Sequence, residues 1–215
     1  MRALVVLNGD PGGPVEWLAS LAEKHDLVVA ADGAAARLLE AGRAPDLVVG
    51  DLDSLAPRDR TDLERKGIAI EAHPAEKDRT DAELALDAAI ARGADEITVA
   101  GAFGGARTDH AIGNLMLLAH PAYASLGLAL VTERDAVTLL RGPGTIVLEG
   151  ATGDLVTLVP LSERASGIRT AGLRYRLDGQ DLVRGPSRGV SNELTAREAS
   201  VTIDDGLLLV ATHRR

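Results

Sequence analysis

The 215-residue sequence contains no cysteine. Disulfides, thiolate metal sites and thiol catalysis are thereby excluded, and the absence fits a reducing cytoplasm. Aromatic side chains are nearly missing as well, at 2% of residues, so any core must be aliphatic. No apolar run approaches the ~20 residues that span a bilayer. The amino terminus, MRALVVLNGD, turns at Asn8-Gly9-Asp10-Pro11 before a secretory leader could develop. Positive charge is in deficit: the formal net charge is -9 and the isoelectric point about 5.0. Such a surface disfavours broad binding to nucleic acid or to an anionic membrane, which runs on Lys and Arg neutralising phosphates. It leaves polyphosphate binding open, provided that metal cations bridge the like charges. Several familiar signatures are also missing. There is no GxxxxGKS/T phosphate loop, no strand running into GxGxxG, no His/Glu metal motif and no Gly-x-Ser-x-Gly elbow.

What is present has an ordinary globular balance, 46% hydrophobic and 26% charged. In the first half, short apolar runs alternate with helical patterns. Strands are predicted at 3–7, 27–31, 47–49, 68–71 and 97–100, and helices at 15–24, 34–41, 57–66, 81–92 and 109–119. Strands that are continuously apolar and separated by helices predict a parallel sheet covered on both faces. After about Leu128 the pattern changes to closely spaced strands with Gly-rich turns and no helix between them, which predicts a β-sandwich. The expected fold is therefore α/β followed by all-β: a Rossmann-like parallel sheet flanked by helices over 1–133, and a carboxy-terminal β-sandwich over 134–215. The connection is expected in the stretch from Glu133 to Gly142, which runs into Gly142-Pro143-Gly144.

Ligands of parallel α/β sheets bind at the carboxyl ends of the strands. Four polar clusters fall at such places: Asp32-Gly33, Gly50-Asp51-Leu52-Asp53-Ser54, Lys77-Asp78-Arg79-Thr80-Asp81, and the stretch from Gly101 to His110. On an extended segment Asp51 and Asp53 point the same way. Two carboxylates ~4 Å apart repel by about 4 kcal/mol at an effective dielectric near 20, a cost that a hard cation such as Mg²⁺ relieves. The other reading is a pair of solvated aspartates in a turn; the three further acidic clusters favour a metal. Thr80 and Glu83 have capping-box spacing, with Thr80 as the N-cap. Asp81 then complements the helix dipole, a role compatible with metal binding. Lys77 either reaches a phosphate or pairs on the surface. The glycines from Gly101 to Gly105 allow close backbone approach to a ligand, and Arg107 offers a planar fork for phosphate. His110 is either a general base or a structural residue at a helix start.

Together these clusters resemble the thiamine pyrophosphokinase family. The resemblance rests on ADGA at 31–34, PDLVVGDLDS at 45–54, KDRTDAELAL at 77–86, GAFGGARTDHAIGNL at 101–115, and GLRYRL and GVSNEL in the second half. These segments occur in the family's order and span nearly the whole chain. The resemblance implies an α/β domain followed by a β-sandwich, and transfer of a pyrophosphoryl group from ATP to the hydroxyl of thiamine. It implies Mg²⁺ held by Asp51, Asp53 and Asp81, with Asp32, Asp78, Thr80, Arg107 and Asp109 lining the nucleotide and its phosphates. Either Asp78 or Asp109 would accept the hydroxyl proton. Ser191 and Asn192 resemble the family's thiamine-contacting pair, presented by the sandwich of a second subunit in a homodimer with shared sites. Two departures stand out: Ala34 where the family usually has a second glycine, and Ala106 as one extra residue before Arg107. The alternatives are a pyrophosphokinase for another hydroxymethyl heterocycle, such as a pterin, and a non-catalytic nucleotide or metal sensor.

Overall fold

The computed structural model describes residues 1–53 and 55–215. Ser54, the last residue of the Gly50–Ser54 cluster, lies outside the described residues. The chain divides into two compact units, Met1–Glu133 and Arg134–Arg215.

In the amino-terminal unit, strands β1 (Arg2–Val6), β2 (Leu27–Ala31), β3 (Leu47–Gly50), β4 (Ala69–Ala72), β5 (Glu96–Ala100) and β6 (Gly127–Val131) lie in the order β4-β3-β2-β1-β5-β6. All five pairings are parallel. Between them run α1 (Val15–Ala22), α2 (Ala34–Glu40), α3 (Pro57–Arg65), α4 (Asp81–Ala91) and α5 (Thr108–Leu117). Alternate strand residues Leu4, Val6, Val28, Ala30 and Val48 share one buried cluster with Leu18 of α1, Leu38 of α2 and Leu63 of α3. Their neighbours Val5, Val29 and Val49 are equally buried, and α4 packs against β2 and β3. A sheet apolar on both faces needs cover on both, and the unbroken aliphatic runs supply the surface for it.

Helix starts follow local chemistry. Pro57 opens α3 at a position whose N–H has no helical partner. The Thr80 side chain caps α4 by accepting from the Glu83 N–H at 3.3 Å.

The carboxy-terminal unit contains β7 (Asp135–Arg141), β8 (Gly144–Glu149), β9 (Leu155–Pro160), β10 (Arg164–Ala171), β11 (Asp178–Val183), β12 (Asn192–Glu193), β13 (Glu198–Ile203) and β14 (Leu207–His213). They form two antiparallel sets, β12-β9-β14-β7 and β11-β10-β13-β8. Leu140, Val156, Leu158, Leu208 and Val210 of the first set share one core with Leu148, Ile168, Leu182, Val201 and Ile203 of the second. Gly142-Pro143 is part of this unit: it carries the chain from β7 to β8 and so from one set to the other. It therefore lies inside this unit and not between the two.

Candidate active site

Strand order reverses at β1: β2, β3 and β4 extend to one side, β5 and β6 to the other. The loops leaving adjacent strands of opposite winding must diverge, and a crevice opens at their carboxyl ends. A cleft of about 540 Å³ lies there. It is lined by Leu7, Asn8 and Gly9 after β1, by Ala31 and Asp32 at the end of β2, and by Asp51 and Asp53 after β3. Asp81 and Ala82 of α4 contribute, as do the Gly101–Arg107 turn and His110, Ala111 and Asn114 of α5.

Two close backbone approaches shape this cleft. At Gly101, with φ +73°, an added Cβ would stand 2.3 Å from the Leu7 carbonyl oxygen. The Gly9 N–H donates to the Gly101 carbonyl at 3.0 Å and the Asp10 N–H to that of Phe103 at 2.8 Å, so the first and fifth loops are joined. Gly50, with φ +152°, leaves room for Asp32, whose Cβ lies 2.9 Å from where a Gly50 Cβ would be. Asp32 itself adopts φ +48° and is 5% exposed, and its N–H donates to the Val49 carbonyl at 2.8 Å.

Each of Asp32, Asp51 and Asp53 offers a carboxylate oxygen, and these three oxygens lie within 4.8 Å of one another. The route to this convergence differs from the expected one. Asp51 and Asp53 do not lie on an extended segment, because Leu52 takes φ +66° and the Asp51 carboxylate accepts the Asp53 N–H at 3.1 Å. A turn closed by its own side chain, an Asx turn, aims both acids at one place. Asp81 stands apart from this trio: its Oδ1 accepts from Lys77 Nζ at 2.7 Å.

The structure does not bring together every expected residue. Asp78 and Thr80 are exposed and absent from the cleft lining, Thr80 being occupied as the cap. Asp109 is also off the cleft wall. Arg107 donates to it through two nitrogens, at 2.9 and 2.5 Å, and this pairing pulls the Asp109 carboxyl down to about 2. A carboxylate so stabilised in its charged form is a poor proton acceptor. In the other unit Ser191 is exposed, with φ +61°, and its N–H donates to Thr157 Oγ1 at 3.1 Å. Asn192 is buried, and its amide is spent on the backbone of Tyr175, accepting from the N–H at 2.9 Å and donating to the carbonyl at 2.8 Å. Asn192 thus holds Tyr175, which is 62% exposed with the Arg174 guanidinium over its ring at 5.7 Å.

Sequence reasoning passed over Asn8, Gly9, Arg37 and Asn114. Asn8-Gly9-Asp10 follows β1 as Asp32-Gly33 follows β2, so the strand-end rule applied to the first four clusters would have found it. Arg37 of α2 donates to the carbonyls of Gly9 and Asn8. Asn114 is one helical turn beyond His110, buried, and donates to the Ala102 carbonyl at 2.9 Å; it falls within the 101–115 segment that carries the resemblance, at i, i+4 spacing from His110.

These features define a class: a parallel α/β unit with a carboxylate-lined cleft at its switch point, followed by an antiparallel β unit. The family model for the thiamin pyrophosphokinase catalytic domain matches residues 18–130, and that for the thiamin pyrophosphokinase vitamin B1 binding domain matches residues 145–208. The chain belongs to the thiamin pyrophosphokinase family. It is 28% identical to the thiamine pyrophosphokinase of Bacillus subtilis strain 168 over 211 residues, 98% of each chain. The crystal structure of thiamin pyrophosphokinase from Geobacillus thermodenitrificans superposes with a TM-score of 0.84 at 30% identity, covering 100% of this chain and 98% of that one. The fold extends to the Candida albicans thiamin pyrophosphokinase, with a TM-score of 0.82 at 19% identity, covering 100% of this chain and 89% of that one.

Proposed function

We propose that this chain transfers the terminal pyrophosphoryl group of ATP to the primary hydroxyl of thiamine, giving thiamine diphosphate and AMP. The observation that carries this reading is the convergence of Asp32, Asp51 and Asp53 on the switch-point cleft of a chain that matches the family's two domain models. The donor set is made of hard carboxylate oxygens with no sulfur or imidazole, which fits Mg²⁺. Asp51 and Asp53 would hold it, with Asp32 as the third carboxylate and Asp81 on the facing helix. Bound there, the ion would neutralise polyphosphate charge.

The remaining steps belong to the chain's own residues. The Gly101–Gly105 turn brings backbone close to the phosphates, and Arg107 and Lys77 supply positive charge for them. The thiamine oxygen attacks the β-phosphorus, the bond from that phosphorus to the bridging α–β oxygen breaks, and AMP leaves. Such transfers are loose and need little help from a base. The Asp109 carboxylate is tied to Arg107 and Asp78 is off the cleft, so His110, which lines it, is the better-placed acceptor for the hydroxyl proton. The vitamin B1 binding unit presents Ser191 and the Asn192-held Tyr175 to the acceptor, in a homodimer whose subunits complete one another's sites. A cytoplasmic setting is part of this reading; among the described residues no helix is long and apolar enough to cross a membrane.

Asp51→Asn and Asp53→Asn should each lower turnover by about 100-fold or more while circular dichroism stays native, since each substitution relieves carboxylate repulsion. Near-normal activity of either variant at saturating Mg²⁺ contradicts the metal assignment. Mixing inactive Asp51→Asn and Ser191→Ala subunits should restore part of the activity; exchange of subunits without any recovery rules out shared sites.

A further inference from the structure

The chain has three lysines against twenty arginines, and one of the three is folded into the acidic site. Lys77 has a side chain only 16% exposed; its Nζ lies 2.7 Å from Asp81 Oδ1 and 3.9 Å from Asp51 Oδ2. Both acids line the cleft, and Asp51 belongs to the trio with Asp32 and Asp53. A compact ammonium fits between two carboxylates where a planar guanidinium would demand a wider, bidentate geometry. Lys77 therefore places a positive charge beside both carboxylates.

The same charge opposes any second cation. A divalent ion entering alone meets an ammonium already paired with two of the carboxylates, and must displace it without bringing an anion of its own to receive it. A metal–polyphosphate complex removes the conflict, because its phosphate oxygens offer the displaced ammonium a new partner. We propose that Lys77 is an internal counter-ion that makes divalent-metal binding depend on polyphosphate, so that free metal binds weakly and metal and nucleotide enter together. This rests on the reading that Asp51 and Asp81 face the metal.

Titrating nucleotide-free protein with Mn²⁺, followed by electron paramagnetic resonance, tests it directly. Lys77→Met should bind Mn²⁺ about tenfold or more tightly than the parent chain, and Lys77→Arg, which keeps the charge, should not. Adding the non-transferable analogue α,β-methylene ATP should tighten Mn²⁺ binding strongly in the parent chain and far less in Lys77→Met. Unchanged Mn²⁺ affinity in a folded Lys77→Met, or undiminished coupling to the analogue, overturns the proposal. Lys77→Gln, which keeps a hydrogen bond to Asp81, repeats the test should Lys77→Met fail to fold. Asp51→Asn separates the two ideas. If it leaves analogue-dependent Mn²⁺ binding intact, the metal reading itself falls. If it abolishes that binding while Lys77→Met changes nothing, only the counter-ion role falls.

Discussion

Single side chains here act through their immediate neighbours, and Gly50 shows how tightly. Its φ of +152° and the 2.9 Å that would separate an added Cβ from that of Asp32 mean that Gly50→Ala must push Asp32 away from Asp51 and Asp53. The variant should lose about 1–3 kcal/mol of stability through backbone strain and lose activity more than stability, measured by urea unfolding alongside turnover. Native-like kcat would show that Asp32 is not needed where it stands. Asp109 gives a second test. Pairing with Arg107 lowers its carboxyl from 3.8 to about 2, so the ionised form, and whatever it contributes to the fold, is present above about pH 4 and lost only as pH falls through about 2. An acid limb in the activity profile between pH 5 and 7 would therefore arise from another group. In Asp109→Asn, kcat should fall because Arg107 is released, while the midpoint of that limb stays in place; a midpoint that moves with Asp109→Asn restores this residue as the proton acceptor.

Among the elements, α4 and its approach organise the acidic side of the cleft. Thr80 caps the helix, Asp81 opens it, and the preceding Arg79 pairs with Asp87 at 2.7 Å. Asp87 also accepts from the Tyr123 hydroxyl at 2.9 Å. Tyr123 lies on a short 3-10 helix (Pro121–Tyr123) and is 3% exposed; burial and the Asp87 carboxylate both raise its phenol pKa. Tyr123→Phe should cost about 1.5–3 kcal/mol, the range for a hydrogen bond to a charged group, and raise KM for ATP by loosening the Lys77–Asp81 approach. No change in unfolding midpoint would mean that the loop is anchored otherwise. Most elements were legible because their periodicity was undiluted: continuous apolar runs for β1, β2 and β3, and a capping box for α4. The pieces that escaped lacked any such signal. β12 is only Asn192–Glu193 and is defined by its partner β9, not by its own sequence. β11 begins with the polar run Asp178-Gly-Gln-Asp181, mostly exposed, so only its apolar end showed.

At the scale of the whole molecule, the acidity is uneven. Residues 1–133 hold 22 of the 32 acidic residues and 12 of the 23 basic ones, so the unit with the cleft carries the negative charge. The sequence located that cleft because acidic and glycine-rich segments recur at strand ends, a regularity of parallel sheets. It could not show how the acids meet. The Asx turn at Asp51, the left-handed Asp32 and the inward Lys77 depend on φ angles and rotamers that no spacing encodes. Nor could it show that Asn192 faces inward to hold Tyr175. In the proposed reaction this architecture moves two phosphoryl units at once. Phosphorus NMR of the chain with ATP, Mg²⁺ and thiamine tests that most directly: AMP and thiamine diphosphate should rise in equal amounts, with no products when the acceptor lacks its hydroxyl. ADP and thiamine monophosphate as the main products would contradict it.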